Sequence, residues 1–147
     1  FSRHISDDYG IEAISGNLED LSKVDIICTA TPSADALFKN HHLKPGVHIN
    51  AIGSFRPSMR EIPNETVINA KVVVDSFMAS KKEAGDLLMT EKESSWTFKN
   101  IHSEIGAIAS GRISGRSNDI EMTLFKSVGL GFQDLAISEL VLDRYDY

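Results

Sequence analysis

Short apolar runs recur along the chain, each passing into small or hydroxylated residues. Asp25-Ile26-Ile27-Cys28-Thr29-Ala30 leads into Thr31-Pro32-Ser33. It lacks polar alternation, the pattern of a parallel strand covered on both faces. Residues 47–52 (Val-His-Ile-Asn-Ala-Ile) form a second run, opened by the turn Lys44-Pro45-Gly46 and closed by Gly53. Residues 71–76 form a third, rich in β-branched side chains. Residues 11–15 and 122–125 carry weaker strand signals, and the first residues, from Phe1, read as the end of a strand.

Helical patterns fill the intervals. Residues 18–24 are short and amphipathic, and 34–43 and 80–89 are longer. Residues 130–145 place Leu135-Ala136-Ile137 and Leu140-Val141-Leu142 between polar pairs, a wide apolar stripe at helical period. Strands alternating with helices of this length predict βαβ units and a mainly parallel α/β sheet. Right-handed crossovers then bring the strand C-termini, and with them the ligand crevice, to one edge.

Composition narrows the class. The 147 residues are 41% hydrophobic and 24% charged, the balance of a soluble globular domain. A net charge of -6 argues against nucleic acid as a partner. No apolar run reaches the length of a membrane span. No export signal is visible, and one cysteine, Cys28, forbids an internal disulfide; both point to a reducing, cytoplasmic setting. Cys28, mid-strand, reads as a small buried hydrophobe. The five histidines show no metal-ligand spacing, so no metal site is expected.

Candidate chemistry gathers at the strand ends. Residues 29–33 and 50–54 combine small side chains with hydroxyls and backbone amides, which suits a flat ligand or an ordinary turn. Gly129-Leu130-Gly131 has G-x-G spacing, but Asp134 stands where a third small residue would be needed, and its carboxylate would repel a pyrophosphate. It is therefore no dinucleotide fingerprint, although Ser127 and the following helix start can direct amides at a ligand. Glu104 lies beside a helix start, open to capping or to substrate contact. Arg112 and Arg116 read as solvated loop charges able to attract an anion. Arg3, just after a strand end, has the position at which an arginine accommodates a ribose 2′-phosphate.

Taken in order, Thr29-Ala30-Thr31-Pro32-Ser33, Leu43-Lys44-Pro45-Gly46-Val47-His48-Ile49-Asn50-Ala51-Ile52-Gly53, Arg60-Glu61, Val72-Val73-Val74-Asp75, Ser103-Glu104-Ile105-Gly106 and Phe125-Lys126-Ser127-Val128-Gly129 resemble the ornithine cyclodeaminase and mu-crystallin family over nearly the whole chain. The resemblance implies a Rossmann-type NAD(P)-binding domain over residues 1–129. It also implies that residues 130–147 form a final helix returning to a dimerisation domain. Ser2, Arg3 and His4 then match the segment holding the adenosine ribose, with Arg3 favouring NADPH over NAD. Thr29, Ala30 and Thr31 match the cofactor-contacting strand-end loop, Ile52 a residue on the nicotinamide side, and Ser127 a cofactor-contacting serine. Val128 and Glu104 match substrate contacts. No catalytic residue is assigned.

Two departures qualify the match. Cyclodeaminases carry an aspartate where this chain has Phe55, and the mu-crystallin branch also lacks that aspartate. The family's Gly-rich phosphate loop and N-terminal substrate-binding Arg and Lys have no counterpart, so the chain is expected to be the C-terminal half of a longer, homodimeric protein. The resemblance implies an NAD(P)-dependent oxidoreductase, a ketimine (cyclic imine) reductase or amino-acid dehydrogenase acting on a small amino acid or cyclic imine. The alternatives are an ornithine cyclodeaminase, or a non-catalytic NADPH-dependent protein that binds a small ligand.

Overall fold

The computed structural model describes residues 1–145. Five strands, β1 (Ile26–Thr29), β2 (His48–Ala51), β3 (Lys71–Val74), β4 (Ser103–Glu104) and β5 (Thr123–Lys126), form one sheet in the order β1-β2-β5-β3-β4. Every pairing is parallel, with β5 inserted between β2 and β3. The helices are α1 (Ser2–Tyr9), α2 (Asn64–Asn69), α3 (Phe77–Glu83), α4 (Gly85–Glu93), α5 (Ile105–Ala109) and α6 (Gly131–Arg144). This is the mainly parallel α/β sheet of Rossmann type that the alternating pattern predicts, and the strand expected at residues 122–125 lies one residue further on, at Thr123–Lys126.

One face of the sheet carries the core. Ile27, Ile49, Ala51, Val72, Val74 and Leu124 point to this side and are buried against Ile62, Val67 of α2, Ala84 and Leu87 of α4. Trp96 and Phe98 close the cluster edge to face. The opposite face is open over β1 and β2. Ile26 is 63% exposed and Cys28 is exposed, so β1 alternates exposed and buried. The expectation of a strand covered on both faces, and of a buried Cys28, is thus corrected. Over β3 and β5, Ile105 and Ile108 of α5 and the segment that follows it shelter a hollow.

Several other expectations are corrected. Residues 11–15 form no strand; Ala13 donates to the Ser6 hydroxyl, and Ile11 and Ile14 stand in solvent. Phe1 precedes α1 as its N-cap, so Ser2, Arg3 and His4 form a helical first turn. Residues 34–43 are not a helix apart from one 3-10 turn at Asn40–His42. Their polar backbone is taken elsewhere. Leu37 N–H donates to the Glu61 carbonyl, Arg60 N–H to the Ser33 carbonyl, and Ser33 and Asp35 bond each other locally. Residues 80–89 span two helices that break at Ala84. Arg116 is no free loop charge, since it donates to the Gly46 and Glu121 carbonyls at 2.7 and 2.8 Å and to Thr123 Oγ1 at 2.9 Å.

Candidate functional site

A parallel sheet delivers all its strand C-termini to one edge, and here two buried carboxylates organise that edge. Glu61 is fully buried in the stretch between β2 and α2. Its Oε2 accepts the Thr29 hydroxyl at 2.8 Å and the Gly53 amide at 2.9 Å, and its Oε1 accepts the Thr31 amide at 2.5 Å. Three donors from the loops after β1 and β2 thus converge on one side chain. Gly53 permits this approach, because a Cβ there would collide with the Thr31 backbone and Glu61 Oε1.

Asp75, at the end of β3, does the same for the loop after β5. Its Oδ2 accepts the Ser127 hydroxyl and the Val128 amide, both at 2.8 Å, and the Gly129 amide at 3.1 Å. Its Oδ1 takes the Ser76 amide. Glu104 Oε1 accepts the Phe77 amide at 2.8 Å and so caps the start of α3 from β4.

Beneath these loops lies Lys126, whose side chain is wholly buried. Its ammonium donates to the Ala51 carbonyl at 3.1 Å and stands 3.3 Å from Asp86 Oδ2. Burial pushes this lysine below its ordinary range, against the opposing pull of Asp86, Glu61 and Asp75. Asp86, in the first turn of α4, accepts the Glu61 and Ile62 amides on Oδ1 at 2.7 and 2.9 Å.

The sequence-expected residues fall into three groups. Ser2, Arg3 and His4 share the first turn of α1; Arg3 and His4 are exposed, and His4 lies 3.3 Å from Asp8. Thr29, Ala30, Thr31 and Ile52 stand together at the ends of β1 and β2, where Ala30 and Ile52 are exposed and the Thr29 hydroxyl is committed to Glu61. Ser127 and Val128 follow β5, with the Ser127 hydroxyl committed to Asp75. Glu104 and Asp75 line a cleft of about 640 Å³ that also takes in Ile105, Arg112, Phe132 and Gln133. The hollow under α5 is lined by His48 and Thr123, the first residues of β2 and β5, and by Phe125, away from this edge.

Glu61, Asp75, Asp86 and Lys126 are the members that the reading of candidate residues missed. For Lys126 a signal was present: strand alternation puts it on the same face as Leu124. Glu61 stands with Arg60 only among the residues that carry the family resemblance, with no role attached. Phe55 is exposed, with the Arg56 guanidinium 5.4 Å from its ring centroid. Among the described residues no three His, Cys, Asp or Glu side chains gather as metal ligands, and no helix is long and apolar enough to cross a membrane.

A parallel α/β sheet with an open crevice at its strand C-termini defines the nucleotide-binding class of folds. The chain belongs to the ornithine cyclodeaminase/mu-crystallin family, whose model matches residues 1–146. It is 42% identical over 148 residues to Delta(1)-pyrroline-2-carboxylate reductase of Bacillus cereus, covering 98% of this chain and 45% of that protein. The structure of Delta(1)-pyrroline-2-carboxylate reductase of Thermococcus litoralis in complex with NADH and L-proline matches with a TM-score of 0.89 at 35% identity, over 95% of this chain and 44% of that one. An archaeal alanine dehydrogenase dimer with bound NAD matches with a TM-score of 0.87 at 33% identity, over 95% and 43%. The chain therefore spans less than half the length of the relatives it matches.

Proposed function

We propose that this chain forms the nicotinamide-cofactor domain of an NAD(P)-dependent reductase acting on a cyclic imine that carries a carboxylate. The observation that carries the reading is the 42% identity to a pyrroline-2-carboxylate reductase over nearly the whole chain. Phe55, where a cyclodeaminase would carry an aspartate, favours the reductase over ring closure of ornithine.

The residues present fit such a cofactor. Ala30 and Ile52 offer an exposed, uncharged platform at the strand ends, backed by loops that Glu61 and Asp75 hold in place. In this reading Thr29, Thr31 and Ser127 shape the cofactor loop, and Ser2, Arg3 and His4 take the adenosine end, Arg3 favouring NADPH. Val128 and Glu104 are the substrate contacts of this reading; Glu104 lines the cleft, which also takes in Arg112 as a cation able to attract a carboxylate, while Val128 packs partly against the core. The bound cofactor would supply the hydride for the imine carbon, and the imine nitrogen gains a proton, giving the cyclic amino acid. The protein supplies position and a preorganised polar edge.

Residues 1–129 are the cofactor domain in this reading. Residues 130–147, the last two outside the described residues, hold α6 (Gly131–Arg144), which in this reading packs on a dimerisation domain of a homodimer. The test is to incubate the complete protein with pyrroline-2-carboxylate and NADPH or NADH and follow nicotinamide absorbance. Oxidation with formation of proline is expected. No oxidation, or proline from ornithine without net cofactor turnover, overturns the reading.

A further inference from the structure

We propose that Glu61 is a positioning residue of the cofactor site, a buried carboxylate that fixes the loops after β1 and β2 as a single surface. This rests on the reading that these strand ends receive a nicotinamide cofactor. All three donors that reach the carboxylate, the Thr29 hydroxyl and the Thr31 and Gly53 amides, come from the strand end or the loop beyond it. Both oxygens are engaged as acceptors, Oε2 by the Thr29 hydroxyl and the Gly53 amide and Oε1 by the Thr31 amide.

The charge is itself anchored. Asp86 grips the Glu61 and Ile62 amides, and Lys126 balances Asp86 while donating to Ala51, the last residue of β2. The connection runs from the end of β5 through α4 to Glu61 and out to both loops. A buried ionic cluster is a poor means of raising stability, since well-packed apolar side chains of the same volume do at least as well. Here the acceptor oxygens serve none of the strand ladders. They order two loops at the edge where a ligand would lie, and the ordering is complete before the ligand arrives.

Glu61→Gln keeps the shape but turns an amide donor toward a donor. In the complete protein, the dissociation constants and KM values of NADPH and NADH are expected to rise together by about tenfold, the scale of one lost charge-assisted hydrogen bond. The kcat at saturating cofactor should stay within about threefold. A parallel rise for both cofactors separates this effect from a contact to the 2′-phosphate. A folded Glu61→Gln protein with a lower melting temperature but unchanged binding of both cofactors overturns the proposal and leaves the reductase reading intact. Failure of the wild-type protein to bind either cofactor overturns both. Should Glu61→Gln not fold, the Thr31 and Gly53 amide resonances of the wild-type protein decide. Shifts or added exchange protection on NADPH titration support the proposal, and indifference of both amides overturns it.

Discussion

Arg3 projects from the first turn of α1 into solvent, and among the described residues no carboxylate is paired with it. An unpaired guanidinium is free to form a two-pronged bond with a phosphate. Arg3→Ala in the complete protein is therefore expected to weaken NADPH by about 1–3 kcal/mol and to leave NADH nearly unchanged, as read by fluorescence titration of each. Equal losses would overturn the assignment of Arg3 to the 2′-phosphate. Lys126 has a different signature. The unfolded lysine holds its proton up to about its ordinary value of 10.5, whereas burial makes the folded one release it earlier. Between those points the unfolded chain binds more protons, so this residue's contribution to stability rises with pH toward 10.5. Denaturant midpoints measured against Lys126→Met across that alkaline range should show the wild type gaining; a constant difference would refute it. Neither Glu61 nor Asp75 is legible as a buried acceptor in one sequence, because the donors that bury them include groups far along the chain. The Thr29–Glu61 bond spans 32 residues and the Ser127–Asp75 bond 52.

At the scale of elements, strands were easier to read than helices. The apolar runs at β1, β2 and β3 are legible because a parallel strand must be apolar on its covered face, at the edge as in the centre. What the run at β1 could not show is that its second face is open, since Ile26 and Cys28 are as apolar as Ile27. Residues 34–43 have helical composition, but Ser33 and Asp35 bond locally and the backbone pairs with residues 60 and 61 instead. The break between α3 and α4 is tightly packed. Gly85 lies against the Met59 and Arg56 carbonyls, and a Cβ there would overlap both. Gly85→Ala, ordinarily favourable within a helix, is expected to cost about 1–3 kcal/mol here as an overpacking change, measured by denaturant unfolding. A neutral or stabilising result would mean that the two carbonyls can retreat.

For the whole molecule, the main asymmetry is between a well-packed sheet edge and a bare α6. Phe132, Leu135, Ile137, Leu140, Val141 and Leu142 of α6 are 47–66% exposed. An apolar surface of this extent drives association in water. The 147-residue chain is expected to self-associate with concentration in sedimentation, and Leu135→Glu with Leu142→Glu should return it to a monomer with unchanged circular dichroism. A wild-type chain that stays monomeric at high concentration would contradict this. The stripe was legible from its period alone.

The loops after β1 and β2 close over one carboxylate, and this limits how the edge can be redesigned. Grafting residues 30–33 from a relative, to change cofactor or substrate, would replace the Thr31 amide's setting while Glu61 and Gly53 stayed tuned to the old loop. The graft would be expected to disturb β2's loop although not one of its residues had been altered. The smallest interchangeable part is discontinuous: positions 29–31, 52–53 and 61 move together or not at all.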